Sequence, residues 1–189
     1  LINNAAIAPP FPTDEQKQEV VQINYFDTVN FTEKLLPLLA ADGKIIFISS
    51  TMGTISFQGP TLKTILEKED LTEEELNKVA RNVVEVTKDS TQTEVSYPAS
   101  KAFLNTYIRK YLPNKLKKTQ HYFSVCPGCC ETDMSTGFFT LAGLKLPEGI
   151  EVLSAEEGAD TPVYLTNLPF DKHSELNGLF VSKRQAQVY

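Results

Sequence analysis

A tyrosine and a lysine at helical spacing form the pair in this sequence best suited to proton transfer. Tyr97 and Lys101 stand four residues apart in the segment YPASK. On a helix, residues at this spacing share one face. A free tyrosine has a pKa of about 10, and a nearby ammonium favours the phenolate and lowers that pKa. The pair could therefore give a proton to a carbonyl oxygen, although the same spacing also occurs by chance on helices that carry no chemistry.

Polar segments follow two predicted strands, at the sheet edge where α/β proteins place their binding sites. Ser50 comes directly after the apolar run Lys44 to Ser49. It could donate a hydrogen bond to a substrate oxygen, or it could simply satisfy the strand end. The segment PGCCET, Pro127 to Thr132, follows the run His121 to Cys126. Its Pro-Gly turn exposes backbone N–H and C=O groups that could hold a planar amide.

Asparagines stand at two further points where a polar side chain needs a partner. The segment NNAA, Asn3 to Ala6, sits at another predicted strand end, where an Asn-based turn is the simpler interpretation. Asn24 lies in a strongly apolar helical stretch beside Tyr25 and Phe26. Asparagine is a poor helix former, and a buried amide without partners costs about 1–3 kcal/mol. Asn24 is therefore expected to form hydrogen bonds within the fold.

Alternating strand and helix patterns must position these residues. Apolar residues at helical spacing predict helices from about Asp14 to Ala40 and from about Pro98 to Leu112, and short apolar runs between them predict buried parallel strands. This alternation predicts an α/β fold with a parallel sheet and right-handed crossovers. About four strands are visible: Leu1 to Asn3, Lys44 to Ser49, His121 to Cys126 and Leu179 to Val181.

Two further helices are predicted from their start signals. In the segment LTEEEL, Thr72 can cap a helix and Glu75 can close the capping box. The apolar positions that follow predict an amphipathic helix on the surface of the domain, between Ser50 and Tyr97. The segment SAEE starts another helix by the same logic, from Ser154 to about Leu165.

Composition and charge limit the class of protein. The chain has 189 residues and a net charge of −6, which predicts one globular domain and argues against a nonspecific nucleic-acid binder. No apolar run reaches about 18 residues, so no membrane span is predicted. The three cysteines lie within five residues and form no disulfide framework. Reduced thiols are the default in the cytosol, so a cytoplasmic protein is expected.

The cysteine spacing leaves two other interpretations to weigh. Cys126 and Cys129 have CxxC spacing, which would suit a redox pair or half of a zinc site. No second cysteine pair exists, however, and His121 and His173 lack the spacing of zinc ligands. The sequence therefore predicts no metal.

Taken in order, five of these features resemble the short-chain dehydrogenase/reductase family. The motifs of that family are Asn-Asn-Ala-Gly, a helix Asn, a strand-end Ser, Tyr-x-x-x-Lys and Pro-Gly-x-x-x-Thr. Their counterparts here are NNAA from Asn3, Asn24, Ser50, Tyr97 with Lys101, and PGCCET from Pro127. Ser50 and Tyr97 are 47 residues apart, and the helix between them resembles the monomeric NADPH-dependent carbonyl reductases. So do the later stretches TDM from Thr132, AEEGADTPVYL from Ala155 and GLFVS from Gly178.

The resemblance implies a Rossmann-like, doubly wound parallel sheet whose N-terminal strands are missing. The chain opens with LINNAA, Leu1 to Ala6, which reads as a strand already running into a turn. Residues 1–189 are therefore expected to be the C-terminal portion of one domain, with a helical insertion at about residues 57–94 and without the glycine-rich nucleotide-binding half. In this subfamily the insertion covers the surface that other members use to pair, so a monomer is implied.

By the same resemblance, NADPH would deliver a hydride to a ketone, aldehyde or quinone. Tyr97 would give the proton to the developing alkoxide, and Lys101 would lower the Tyr97 pKa and bond the nicotinamide ribose. Ser50 would position the carbonyl oxygen and stabilise the oxyanion, while Asn24 would hold a water that links Lys101 to solvent. NADH is not excluded, because the residues that select the coenzyme would lie before Leu1. The other implied residues are Asn4, Cys130, Glu131 and Thr132 for the cofactor, and Gln16, Thr51, Met52, Cys129 and Met134 for the substrate.

Two departures from the family pattern and one thiol bear on the substrate. Ala6 stands where the family has glycine, and Cys129 stands where the close relatives have tryptophan, which should widen the pocket. Cys126 is either a thiol that electrophiles or glutathione conjugates can reach, or a small buried residue at a strand end. Two rival hypotheses also stay open: a truncated chain that only binds a partner, and a dehydrogenase that works in the direction of alcohol oxidation with the same catalytic residues.

Overall fold

A five-stranded, mostly parallel sheet forms the centre of the fold. The computed structural model describes residues 1–90, 95–136, 149, 151–169 and 175–188. The sheet order is β1-β2-β3-β6-β7, in which β6 and β7 form an antiparallel hairpin and the other neighbours are parallel. A separate parallel pair joins β4 to β5. The bounds are β1 Ile2–Asn3, β2 Lys44–Ile48, β3 His121–Val125, β4 Cys129–Cys130, β5 Val152–Leu153, β6 Phe180–Ser182 and β7 Gln185–Gln187.

The four predicted strands are present, and the predicted α/β fold is confirmed. The predicted strand at Leu179 to Val181 begins one residue later, at Phe180. The sequence did not reveal β4, β5 and β7, because two-residue strands and the fully exposed β7 carry no run of apolar residues.

The middle strands are buried on both faces, which is why their sequences are continuously apolar. Ile45 and Phe47 point into one core and Ile46 points into the other, as the alternation of a strand requires. The first core lies under the helices that precede and follow β2, and the second lies under the last helix, which contributes Leu165. Helices therefore cover both faces of the sheet, and the doubly wound arrangement is confirmed.

The long helix predicted from Asp14 to Ala40 is divided into segments. Helix α1, Asp14–Val21, leads into a π-helical stretch, Gln22–Asp27, and then into α2, Thr28–Leu35. A 3-10 turn at Leu36–Leu38 contains Pro37 and ends the run. Single π turns inside α-helices often mark functional sites, and this one contains Asn24.

Three short α-helices lie between Ser50 and Tyr97 in the described part of the segment where the sequence predicts an insertion. They are α3, Pro60–Leu66, α4, Glu73–Arg81, and α5, Val83–Val86. The capping box of Thr72 and Glu75 is present at the start of α4, as predicted. Both α4 and α5 contact α1 and the helix that follows them. The predicted bounds of the insertion stay a prediction, and its residues 91–94, like His173, lie outside the described residues.

The longest described helix carries the predicted pair Tyr97 and Lys101. Helix α6 runs over Ser96–Lys110 and is buried along nearly its whole length. A short helix α7, Asp133–Thr136, follows the β4 strand. Helix α8, Ala155–Asn167, begins at the predicted capping box of Ser154 and Glu157 and ends two residues after the predicted Leu165. Among the helices of the described residues, none combines the length and apolarity needed to cross a bilayer.

Candidate active site

The predicted proton-transfer pair lies in the first two turns of α6. Lys101 is 3% exposed, and its Nζ donates a hydrogen bond of 2.7 Å to the carbonyl of Ile48, the last residue of β2. The same Nζ lies 5.6 Å from the centre of the Tyr97 ring, and Tyr97 itself is half-buried. The ammonium therefore joins the start of α6 to the carboxyl end of β2.

Burial also changes how tightly Lys101 holds its proton. Desolvation lowers the pKa of Lys101 from 10.5 to about 8, and the nearby Cys126 thiol opposes this shift. The Ile48 carbonyl supplies one acceptor for the ammonium but no negative charge. The charge of Lys101 therefore depends strongly on the groups that lie next to it.

Ser50 stands at the turn directly after β2. It caps a 3-10 turn over Thr51–Gly53, and its Oγ accepts a hydrogen bond from the Met52 N–H at 3.1 Å. The Gly53 N–H donates to the Ser50 carbonyl at 2.9 Å. A hydroxyl can accept and donate at once, so these bonds leave the Ser50 hydroxyl hydrogen available for a substrate oxygen.

Asn24 has the partners that its burial requires. It is 1% exposed, and its Oδ1 accepts from the Ile7 N–H at 2.8 Å. Its Nδ2 donates to the Ile7 carbonyl at 2.9 Å and to Ser100 Oγ at 3.1 Å. Ser100 Oγ in turn donates to the Tyr97 carbonyl at 2.7 Å. Asn24 therefore ties the loop after β1 to the helical turn that lies between Tyr97 and Lys101.

The segment after β3 turns back across the end of the sheet at Gly128. Gly128 has φ +90°, a left-handed backbone conformation that favours glycine because other residues are strained there. The turn leads into β4, which pairs with β5, and the Glu131 N–H extends this pairing to the Leu153 carbonyl at 2.7 Å. Glu131 and Thr132 are exposed beyond the pair, at the predicted cofactor segment.

The three cysteines are free thiols that lie in different environments. Cys126 is 5% exposed, and its Sγ lies 3.9 Å from Thr51 Oγ1, next to the Ser50 turn. Cys130 packs against α8, where a Cβ on Gly158 would come within 2.1 Å of its Sγ. Burial raises the pKa of the Cys129 and Cys130 thiols. Within the described ranges, no three His, Cys, Asp or Glu side chains form a group that could hold a metal ion.

Other predicted site residues are spread more widely. Thr51 and Met52 share the turn with Ser50, and Asn4 is exposed just after β1. Met134 is 38% exposed at the start of α7. Gln16 is exposed, and its Oε1 accepts from the Thr13 N–H at 2.9 Å in the capping box of α1.

One buried polar residue next to this site was not predicted from the sequence. Asn105 lies one turn after Lys101, and its side chain binds Ser49, Ser124 and the Gly53 carbonyl. The signal that drew attention to Asn24 was also present here, because Asn105 stands in an apolar helical stretch between Leu104 and Tyr107.

Comparisons with known proteins agree with this architecture. A family model described as short chain dehydrogenase matches residues 1–62. The chain is similar to carbonyl reductase (NADPH) 1 of Homo sapiens, with 31% identity over 204 residues that cover 100% of this chain and 69% of the relative.

Solved structures show the same fold. The chain is similar to salutaridine reductase from Papaver somniferum, with a TM-score of 0.73 and 26% identity over 95% of this chain and 70% of that chain. It also resembles an NADPH-bound carbonyl reductase from chicken fatty liver, with a TM-score of 0.56 and 20% identity over 100% of this chain and 64% of that chain, a level that supports the fold alone. The order of the motifs, the parallel sheet and the 31% identity to a carbonyl reductase all lead to the same family. The chain belongs to the short-chain dehydrogenase/reductase family.

Proposed function

We propose that this chain carries the proton-transfer and substrate side of an NADPH-dependent reductase of ketones, aldehydes or quinones. The observation that carries the proposal is the contact between Lys101 and the Ile48 carbonyl. This contact brings the Tyr97 end of α6 and the Ser50 turn together at the carboxyl end of β2, where α/β folds bind their ligands. The similarity to a carbonyl reductase that is named for NADPH supports the coenzyme and the class of substrate.

The chain's own residues would handle the carbonyl oxygen and its proton. Bound NADPH would supply the hydride to the carbonyl carbon. The Ser50 hydroxyl would donate a hydrogen bond to the carbonyl oxygen and stabilise the negative charge that develops on it. The Tyr97 hydroxyl would give its proton to that oxygen, and the Lys101 ammonium would stabilise the phenolate that remains. The product alcohol would then leave with one proton from Tyr97.

The proposed role of Asn24 can be stated more narrowly than the sequence allowed. Both hydrogens of its amide nitrogen are donated, to the Ile7 carbonyl and to Ser100. A water that resupplies protons to Lys101 would therefore have to donate to an oxygen of Asn24. The direct effect of the Asn24 side chain would be to hold the Tyr97 turn of α6 in place through Ser100.

The residues present fit a nicotinamide coenzyme. Gly128 gives the turn a positive φ that other residues adopt only with strain, and the exposed Glu131 and Thr132 follow it. We propose that this segment, with Cys130, binds the nicotinamide amide and an adjacent phosphate. Lys101 and Tyr97 would hold the nicotinamide ribose, and Asn4 would lie near the other ribose.

Three of the side chains proposed to line the substrate pocket carry polarisable sulfur. Thr51 and Met52 would contribute from the Ser50 turn, and Cys129 and Met134 from the segment after β3. Gln16 would join only if it left its capping box. The 5% exposure of Cys126 supports a small buried residue at a strand end rather than a thiol open to glutathione conjugates.

Replacement of Tyr97 by phenylalanine tests the proposal. The complete natural polypeptide, including any residues encoded before Leu1, would be assayed for NADPH oxidation with menadione or isatin. Tyr97→Phe should lower kcat by about 10²–10⁴-fold, the usual contribution of a general acid, with little change in NADPH affinity. Tyr164→Phe, on α8, is the matched control and should behave as the unmodified protein.

Two outcomes would contradict the proposal at different levels. A near-normal kcat for Tyr97→Phe would remove Tyr97 from its role as proton donor. An unmodified protein that turns over no carbonyl in a broad panel would reject the reductase function. The direction of the reaction in the cell would be set by the ratio of reduced to oxidised coenzyme, because the same residues serve both directions.

The rival hypothesis, in which the chain only binds a partner, makes a different prediction. A titration of NADPH against the natural polypeptide separates the two functions, because a pure binding protein would not take up the coenzyme.

A further inference from the structure

One buried amide on α6 holds both ends of the Ser50 segment. Asn105 is 3% exposed and lies one turn beyond Lys101. Its Oδ1 accepts from Ser49 Oγ at 2.6 Å and from Ser124 Oγ at 2.8 Å. Its Nδ2 donates to the Gly53 carbonyl at 3.1 Å. Ser49 directly precedes Ser50, and Gly53 closes the 3-10 turn that Ser50 caps.

The orientation of this amide is fixed by its surroundings. Ser49 and Ser124 are 2% and 0% exposed, so their hydroxyls depend on protein acceptors. Two donated hydroxyls fill both lone pairs of Oδ1. The amide nitrogen must then face Gly53, because a flipped amide would leave buried hydroxyls without acceptors, at a cost of about 1–3 kcal/mol each.

The turn also has no space in which to shift against α6. A Cβ on Gly53 would lie 2.7 Å from the backbone carbon of Lys101 and 2.9 Å from Asn105 Nδ2. Lys101 holds the Ile48 carbonyl just before the turn. Lys101 and Asn105 of α6 therefore form hydrogen bonds with residues 48, 49 and 53, on both sides of Ser50.

We infer that Asn105 is a positioning residue that sets the Ser50 hydroxyl relative to Tyr97. Both side chains must reach the same carbonyl oxygen, and they come from elements 47 residues apart in the sequence. Through its bonds to Ser49 and Gly53, Asn105 fixes the Ser50 turn relative to α6. This inference rests on the proposed function, since it concerns the geometry of that reaction.

The test compares two replacements of Asn105 in the complete natural polypeptide. Asn105→Ala removes all three hydrogen bonds. The triple variant Asn105→Leu, Ser49→Ala, Ser124→Ala removes the amide together with both hydroxyls and leaves only the Gly53 carbonyl of the network unpaired. It should therefore fold better than Asn105→Ala, which also leaves the two buried hydroxyls without an acceptor. Thr106→Val is the control, since Thr106 is 2% exposed on the same helix and, among the described residues, its hydroxyl donates to the Ala102 carbonyl at 2.8 Å.

Two readouts are taken on each variant. Amide hydrogen exchange by mass spectrometry follows the protection of residues 51–54. Steady-state kinetics with menadione follow kcat and KM separately. Both Asn105 variants should lose protection in the turn and lose kcat by about 10- to 100-fold, the effect expected when a reacting group is displaced by about 1 Å. In the two Asn105 variants KM should change by less than about twofold. In the Thr106→Val variant both kcat and KM should change by less than about twofold.

Each result has a defined meaning. Unchanged exchange in the turn, or an unchanged kcat in the well-folded triple variant, would overturn the inference. Loss of kcat without loss of protection would overturn it as well, because Asn105 would then act by another route. If the unmodified protein turns over no carbonyl, the proposed function itself fails, while the exchange experiment still decides whether Asn105 holds the turn.

Discussion

At the scale of single residues, the site is organised around one buried lysine. Lys101 holds the end of β2 through the Ile48 carbonyl and lies against the ring of Tyr97. Burial of the ammonium carries a cost, because water no longer solvates the charge and no carboxylate of the described residues offsets the loss. Because the folded state disfavours the charged form of Lys101, the free energy of unfolding should depend on pH.

The free energy of unfolding should rise with pH between about 8 and 10.5. In the fold the pKa of Lys101 is lowered to about 8 from 10.5, so in this window the unfolded state binds more protons than the folded state. Stability then increases by about 1.4 kcal/mol per pH unit. Below about pH 8 both states are protonated, and the full cost of burial is present. The Lys101→Met variant should lack this rise and should be more stable than the unmodified protein at neutral pH.

Urea unfolding at several values between about pH 7 and pH 10 measures this difference. Burial raises the pKa of Tyr25 and Tyr107, which lowers stability at the alkaline end of the range. Both proteins share those tyrosines, so the comparison of the two removes their effect. A difference between variant and unmodified protein that does not vary with pH would contradict the prediction.

At the scale of elements, a lysine of the sheet provides the positive charge that the last turn of α8 lacks. Helix α8 has no basic residue in its last turn, although a positive charge there would favour the helix dipole. Lys44 of β2 supplies it, since its Nζ donates to the carbonyls of Leu165, Thr166 and Leu168 at 3.3, 2.7 and 2.8 Å. One side chain thus satisfies the end of α8 and fixes it to the sheet.

Loss of this contact should weaken the fold. Lys44→Met leaves three carbonyls without the ammonium and should lower the free energy of unfolding by about 1–3 kcal/mol, as measured by urea denaturation. Hydrogen exchange should show the first loss of protection near the end of α8. Lys63→Met is the control, because Lys63 is exposed and pairs with Glu67 at 3.8 Å, and such pairs contribute at most about 1 kcal/mol. Equal losses in the two variants would rule out the special role of Lys44.

At the scale of the whole molecule, the helices between Ser50 and Tyr97 cover a face that would otherwise be open. Leu76 of α4 is completely buried against the core that α6 also lines. Asn77 accepts a hydrogen bond of 2.8 Å from the Tyr25 hydroxyl. Lys115 forms ion pairs with Glu33 and Glu73, which join α2 to α4. These contacts support the proposal that the protein is a monomer.

The assembly state can be tested by opening this face. The complete natural polypeptide should sediment as a monomer. Leu76→Ser should destabilise it by about 2–5 kcal/mol, the range for truncation of a buried leucine, and should cause association that increases with concentration as apolar surface is exposed. Leu38→Ser is the matched control, since Leu38 is 80% exposed. An unmodified protein that sediments as a dimer would contradict the proposal.

The sequence by itself determined the features that depend on neighbours along the chain. Spacing placed Tyr97 and Lys101 on one helix face, and the capping signals located the starts of α4 and α8. The apolar runs located the four strands, because a strand buried on both faces needs no other pattern. The division of the first long helix by a π turn escaped prediction, since the residues around Asn24 carry no helix-breaking signal.

Only the tertiary structure decided how these elements meet. The bonds from Asn105 to Ser49 and Gly53, from Lys101 to Ile48, and from Lys44 to the end of α8 join residues 52 to 124 positions apart. Several of the acceptors are backbone carbonyls, which every residue carries, so no sequence pattern marks them. Residue types along the chain therefore indicated which groups could do chemistry, whereas the packing of α6 against the sheet decided which of them lie together at the end of β2.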